Sequence, residues 1–394
     1  MGEQSEVPLI DRIKRFFRKK EQGKKQAGTK STLPAPAVAQ VEVTTRCNLK
    51  CTMCPRTHFS GEKNVDFPFE VFESFSASFP KLNHVHLQGW GEPLLHPRIF
   101  DMAALVTQNQ CRVGFTTNGS LLDDRVIAEI LRLPVHHVAV SVAGADDAVH
   151  GAIRVGSNLD TLLGRVANLV DARNAAGQSE PAVHLSYMMT RKSAAGLPEM
   201  VRKAHEIGVD RLVAPNLDCP VTIEEEEERI FGFGEPEKAI EKVLDEARIL
   251  ANDKKLRLSV YPLKFSDEIL VCELNPLTQF FVNVHGDVAP CPYASLMGRT
   301  PYDRYFLGET VPSQPLVFGS LVEASMEAVW QNEEYRKFRV QYWNRRTAYD
   351  NLSKSRTSIH SVFGLQDYIR EIDRVLAQYP VPPFCRTCYK AFGA

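Results

Sequence analysis

Cys47-Asn48-Leu49-Lys50-Cys51-Thr52-Met53-Cys54 places three thiols within eight residues, in the spacing Cys-x3-Cys-x2-Cys. It follows the run Ala39-Gln40-Val41-Glu42-Val43-Thr44-Thr45, whose alternating, β-branched residues predict a strand. A loop leaving a strand end can gather three sulfurs around one inorganic core. Thiolates are the usual ligands of iron–sulfur clusters, and a four-iron cluster has four corners. Three local thiols leave one corner without a protein ligand, the open position that turns a metal site from a staple into a site of chemistry. A structural zinc site would want four ligands, and no fourth Cys or His follows closely. A disulfide pair with a spare thiol belongs to small secreted chains. Three cysteines clustered only to fill a core would not sit beside Arg46, Asn48, Lys50 and Arg56.

Outward from that loop, 394 residues suffice for two or three domains and a large core. Hydrophobic content of 44% and charged content of 24% are ordinary for a soluble globular chain, which argues against a membrane-spanning or disordered class. A net charge of −1 gives no global field for nucleic acid, so none is expected as a partner. Nine cysteines fit a reducing compartment with metal ligation better than a disulfide framework. No apolar run is long enough to cross a bilayer, and the N-terminus lacks a signal-peptide core; the expectation is a cytoplasmic protein.

Residues 1–37 read as an appendage. Leu9, Ile10, Ile13, Phe16 and Phe17 recur at helical spacing, with Arg12, Lys14, Arg15, Arg18, Lys19 and Lys20 on the other faces. Residues 1–30 hold nine Lys and Arg against four Asp and Glu, a surplus of five positive charges. A basic amphipathic helix over residues 8–20 can lie on the inner face of an anionic membrane; the bland alternative is packing on the enzyme's own body. Ser31 to Ala39 reads as a linker.

Residues 38–235 alternate strands and helices, with strands predicted at 39–45, 83–88, 112–116, 136–142, 183–189 and 210–214. Such alternation demands parallel strands with right-handed crossovers. The predicted fold is α/β, a partial (β/α)6 TIM-like barrel whose chemistry sits at the C-terminal strand ends. Motif residues do fall there. Strand two is followed by Gln88-Gly89-Trp90-Gly91-Glu92-Pro93, where glycine permits close backbone approach to a ligand; a plain strand-to-helix turn is the competing reading. Thr116-Thr117-Asn118-Gly119 follows strand three, and Asn-Gly favours turns anyway. Strand four ends in Val140-Ser141-Val142, with His150 and Arg154 after it; Arg154 is a bidentate carboxylate binder or a surface ion pair. Tyr187 and Met188 read as core. Asp218 and Cys219, past strand six, are candidates for proton acceptor and hydrogen-atom donor, although buried free cysteines are usually inert. His84 and His86 share one face of strand two, where packing or hydrogen bonding is favoured over metal binding. Glu224 to Glu228 reads as a solvated helix start.

A bridging helix and strand are expected at 236–262, and a second cysteine constellation within 263–394. Cys272 and Cys291 flank a segment read as strand, tight turn and strand, and Cys385-Arg386-Thr387-Cys388 closes the chain. Four thiolates saturate either a zinc ion or a four-iron cluster, and spacing alone does not choose. Residues 340–384 carry no readable motif.

The Cys47, Cys51, Cys54 spacing resembles the signature of the radical S-adenosylmethionine (SAM) superfamily, and the resemblance runs from about Val38 to the C-terminus. It implies a [4Fe–4S] cluster whose open iron chelates SAM, and reductive cleavage to a 5′-deoxyadenosyl radical that abstracts hydrogen from substrate. The resemblance also implies SAM contacts from Gly89, Trp90, Gly91, Glu92, Asn118, Ser141 and Arg154; Trp90 between two glycines departs from the commonest form. Cys272-x13-Gly286-x4-Cys291 resembles the start of a SPASM/twitch domain, a small α+β unit with a β-hairpin. Phe318-Gly319-Ser320-Leu321, Ala328-Val329-Trp330, Tyr335 and Arg339 resemble its connecting segment. This implies one fully ligated auxiliary [4Fe–4S] cluster on Cys272, Cys291, Cys385 and Cys388, with Cys111 and Cys219 left over. An oxidoreductase or bond-forming enzyme is expected, acting on a metabolite or lipid-linked substrate and fed by an external electron donor such as flavodoxin or ferredoxin. Peptide or protein modification is the alternative, disfavoured by a leader of 37 residues where relatives carry a longer leader-binding domain. A non-enzymatic iron–sulfur electron carrier is the third reading; it would need neither the open-site loop nor the Gly-Trp-Gly-Glu-Pro segment.

Overall fold

The computed structural model describes residues 33–59, 64–265, 269–296, 298–355 and 362–394. The amphipathic stretch 8–20 lies outside the described residues. Seven parallel strands follow in chain order: β1 (Val38–Val41), β2 (His84–Leu87), β3 (Arg112–Thr117), β4 (Val135–Val142), β5 (Ala182–Tyr187), β6 (Arg211–Ala214) and β7 (Arg257–Val260). Each pairs with its predecessor, as right-handed strand–helix crossovers require. β8 (Gln279–Val282) then returns beside β1 in parallel, and β9 (Val288–Ala289) closes the row antiparallel to β8.

The predicted parallel α/β fold is therefore present, and larger than six strands. The strand read as a bridge at 256–261 is the seventh parallel strand, and the hairpin around Gly286 supplies the eighth and ninth. Its tight turn is real: Gly286 has φ +80° and its N–H donates to Asn283 O at 2.9 Å. Periodicity identified the hairpin, but pairing of β8 with β1 adds it to the β1 edge of the sheet, between segments far apart in the chain, and has no local signal.

Each strand alternates. Val138, Val140 and Val142 of β4 and Val183, Leu185 and Tyr187 of β5 are fully buried on the helix-facing side. At roughly 1.5–3 kcal/mol per large apolar side chain, this outer layer holds the sheet together. Ala139, Ser141, His184 and Ser186 take the other face, toward the barrel cavity.

Helices start where capping side chains permit. Asp123 accepts from Val126 N ahead of α1 (Asp124–Arg132), Asp146 from Val149 N ahead of α2 (Asp147–Ile153), and Asn158 from Thr161 N ahead of α3 (Leu159–Ala175). Thr222 caps α4 (Ile223–Glu227). The acidic run there is not the solvated face expected of it. Glu225 and Glu226 are buried; Glu225 accepts from Val221 N at 2.7 Å, and Glu226 accepts from the Tyr389 hydroxyl at 2.6 Å and from Gly308 N at 3.0 Å. Glu226 thus ties the barrel to the C-terminal part of the chain.

Residues 340–384 also acquire a role. They contain most of α5 (Glu333–Ser355) and all of α6 (Val362–Gln378). Buried Arg345 on α5 donates to Leu376 O and Tyr379 O, at 3.0 and 2.9 Å, and to Ile269 O at 2.8 and 3.0 Å. One guanidinium so fixes the far end of α6 to the segment leading into Cys272. Phe318, Trp330, Tyr335 and Arg339 form one aromatic cluster, with Phe318 stacked on Tyr335 at 4.4 Å and the Arg339 guanidinium 3.8 Å from the Trp330 ring centre. Among the described residues no helix is long and apolar enough to cross a membrane.

Candidate active site

The carboxyl ends of the strands converge on a cavity of about 430 Å³. Cys47, Cys51 and Cys54 line it after β1, Gly89 to Glu92 after β2, Asn118 after β3, and Ser141 from β4. Arg154, Asp218, Tyr261, Glu273, Tyr293 and Lys390 complete the wall. Every residue expected to touch the open cluster or SAM faces this one space.

The cysteine loop is held from three sides. Arg46 grips Asp66 at 2.6 Å and Leu95 O at 2.7 Å, while its own carbonyl accepts from Glu92 N at 2.7 Å. Lys50 N donates to Val155 O and Thr52 N to Ile153 O, at 3.0 and 2.9 Å. That pairing lays the loop against the end of α2 and sets Arg154 beside the sulfurs. Thr57 donates to Cys51 O at 2.8 Å. The Asn118 amide reaches Asn48 Oδ1 at 2.9 Å and Cys47 Sγ at 3.8 Å.

The Gly-Trp-Gly-Glu segment works differently from a simple ligand-facing turn. A Cβ on Gly91 would stand 2.2 Å from Thr44 O and 2.6 Å from Arg46 O, and one on Gly89 would stand 2.2 Å from Glu42 Cγ. Gly91 is required by the close passage of the backbone leading into the cysteine loop, and Gly89 by the Glu42 side chain. Trp90 N donates to Glu42 Oε1 at 3.0 Å, and its ring packs on Tyr293 at 6.1 Å. Glu92 is buried and accepts from Thr117 Oγ1 and Asn118 N, both at 2.6 Å. It connects the ends of β2 and β3 while lining the cavity.

The donor set fits the groups it is expected to hold. Burial raises the Cys47 thiol and pushes Cys54 up to about 12, and the neighbouring sulfurs repel further charge. Such a trio is stable as thiolates only around a multivalent cation. Arg154 is 8% exposed, and its Nε is buried without a hydrogen-bond partner. An orphaned guanidinium beside the sulfurs suits the carboxylate of SAM. Ser141 lines the same wall. His150 is instead internal, with Nε2 3.0 Å from Ser157 Oγ; burial lowers it to about 4.

The four distant cysteines also assemble. Burial raises Cys272, Cys291, Cys385 and Cys388, and Cys388 adds repulsion on each of the other three. Four thiols pressed together in this way call for a metal core. Cys219 lies near this group, close enough for its charge to couple with Cys388, and packs against the cluster of Val221, Leu296 and Tyr302. Cys111 is buried in the core, as expected.

Lys390, Glu273, Tyr261 and Tyr293 were not singled out by sequence. Lys390 Nζ is 2.6 Å from Asp218 Oδ2, touches Glu273 Oε1 and lies 4.3 Å over the Tyr261 ring. Burial works against its charge, but Asp218 and Glu273 outweigh it and the ammonium is held firmly protonated. The Tyr293 hydroxyl donates to Asp218 Oδ1 at 3.0 Å. The one available signal was adjacency: Lys390 follows Cys388, and Tyr293 follows Cys291, by two residues.

Comparison with known proteins agrees with this geometry. The family model of the radical SAM superfamily matches residues 41–190, and that of an iron–sulfur cluster-binding domain, SPASM, matches 272–353. Cys385 and Cys388 lie beyond the second match. The chain is 28% identical over 306 residues to the tungsten-containing aldehyde ferredoxin oxidoreductase cofactor-modifying protein of Pyrococcus furiosus, covering 76% of this chain and 82% of that one. It is 27% identical over 184 residues to the PqqA peptide cyclase of Gluconobacter oxydans, covering 46% of this chain and 49% of the cyclase. Streptococcus suis SuiB bound to its precursor peptide SuiA shares the fold, with a TM-score of 0.56 at 14% identity over 76% of this chain and 66% of SuiB.

Proposed function

Since this chain is a radical SAM enzyme with a C-terminal SPASM-type cluster domain, we propose that it oxidises or cross-links a peptide or protein substrate. The observation that carries this reading is the company it keeps: its relatives include a peptide cyclase, and SuiB, which shares its fold, is bound to a precursor peptide. The expectation of a metabolite or lipid-linked substrate yields to it, and the reading as a mere electron carrier is set aside, because the radical SAM relatives are enzymes.

Cys47, Cys51 and Cys54 hold three corners of the SAM-binding [4Fe–4S] cluster, and Cys272, Cys291, Cys385 and Cys388 hold the auxiliary one. When bound, these clusters and SAM supply hydrogen-atom abstraction and take up the electron that the substrate then loses. Arg154 receives the SAM carboxylate, with Ser141 and Asn118 beside it. Gly89, Gly91 and Glu92 keep the cysteine loop and the end of β3 in register. The proton that leaves the substrate with its electron needs an acceptor, and Asp218 is placed for it between the two sulfur sites. Tyr293 and Lys390 orient its two oxygens. Cys219, beside the auxiliary sulfurs, has its thiol raised well above the usual range by desolvation and so keeps its S–H; it stays the candidate hydrogen-atom donor. A one-electron donor such as flavodoxin or ferredoxin is the external partner.

The test is isotopic. Reduced enzyme, loaded with clusters and SAM under anaerobic conditions, is offered deuterated peptides from the host proteome and, separately, a deuterated small-metabolite extract. Deuterium in 5′-deoxyadenosine from the peptide pool alone is the expected result. Transfer from the metabolite pool alone would overturn the peptide reading.

A further inference from the structure

The barrel interior carries a second set of ligating side chains, next to Gln88, Thr116 and His184, which line the cavity of the sulfur site. His84 and His86 stand on one face of β2 and His137 on β4, with β3 between them. Strand register lines up His86, Gly114 and His137 across the three strands. Gly114 is what lets them meet: a Cβ there would stand 2.2 Å from His137 Cε1 and 2.4 Å from its Nδ1. The missing side chain is the seat of the His137 ring. Ring centres lie 5.0 Å apart for His84 and His137, 5.1 Å for His86 and His137, and 5.9 Å for His84 and His86.

One ring nitrogen from each of the three lies within 4.8 Å of the others. Two further observations point to a ligand. His84 Nε2 is buried without a hydrogen-bond partner. His86 Nε2 lies 2.9 Å from Gln88 Oε1 and 3.0 Å from Thr116 Oγ1, which engages Nε2 and leaves Nδ1 for a metal. That is the arrangement by which an outer hydrogen bond readies an imidazole for a metal. Charges around the site are mixed: Arg112 acts on His84, and Arg211 and Arg257 act on His184 next to His137, while Asp210 and the Glu180 partner of His136 oppose them.

We propose that His84, His86 and His137 bind one divalent transition ion of the zinc class, clamping β2 to β4 across Gly114 inside the barrel. Imidazole suits such borderline ions, and the fourth position is left to water.

The test uses the full chain with both clusters assembled, equilibrated anaerobically with Zn²⁺ and desalted. About one zinc per chain should remain, with X-ray absorption showing nitrogen neighbours near about 2.0 Å and imidazole outer shells. His84→Gln and His137→Gln should each lose that zinc while the visible absorption of the clusters is unchanged. The proposal fails if no zinc is retained, if its neighbours are sulfurs, or if both variants keep it. If one variant loses its clusters, the other variant and the absorption spectrum of the unaltered protein decide.

Discussion

Lys390 and Asp218 form a buried ion pair, Nζ to Oδ2 2.6 Å, that joins the last turn of the chain to the loop after β6. The lysine side chain is 5% exposed and the aspartate 10%. This pair lines the cavity that Cys47, Cys51 and Cys54 also line, which is why Asp218 is proposed as the proton acceptor.

Asp218→Asn should keep SAM cleavage and lose product. General-base contributions run to about 10²–10⁴-fold, so product formation should fall by that order while 5′-deoxyadenosine continues to appear. Chromatography of both species from one reaction reads the ratio; equal loss of both would refute the role. Lys390→Met leaves Asp218 buried without its countercharge and should lower stability by about 3–5 kcal/mol, seen as a reduced thermal midpoint.

Glu42 gives the protein a pH dependence. Its carboxylate accepts from Trp90 N and Val284 N, at 3.0 and 3.1 Å, yet burial raises it from 4.5 to about 7. The folded state therefore holds a proton that the unfolded chain has released. Stability from this group is fully present below 4.5 and is lost as pH rises through about 7. The full swing is about 3 kcal/mol, at 1.36 kcal/mol per pKa unit. Between pH 5 and 8 the thermal midpoint of the unaltered protein should fall relative to that of Glu42→Gln. Parallel pH profiles would sink the assignment.

Gly91→Ala should dislodge the cysteine loop. The added methyl would meet backbone oxygens at 2.2 and 2.6 Å, which cannot swing aside as a side chain can. Overpacking of this kind costs about 1–3 kcal/mol. The specific signature is loss of iron from the first site, to about four irons from the eight of two four-iron clusters, with SAM cleavage abolished.

The two sulfur sites should be separable. Cys47→Ala should stop 5′-deoxyadenosine release altogether. Cys385→Ala should retain about four irons and SAM cleavage but give no product. Normal turnover without the auxiliary cluster would exclude its electron-transfer role.

What the sequence determined by itself was local chemistry. Cys47, Cys51 and Cys54 needed no fold to be read, because three thiols on one short loop have few uses, and the 2- and 3.6-residue periods named most strands and helices. Glycines 89 and 91 were legible as special but not for their reason, which is the Glu42 side chain behind the first and the passage of Thr44 and Arg46 behind the second. Lys390 was invisible, since its partners Asp218 and Glu273 come from distant loops. So were the pairing of β8 with β1 and the seat that Gly114 makes for His137. Tertiary structure alone decided these. Burial turns an ordinary lysine, glutamate or histidine into a functional group, and burial is set by which segments pack together, not by which residues are neighbours in the chain.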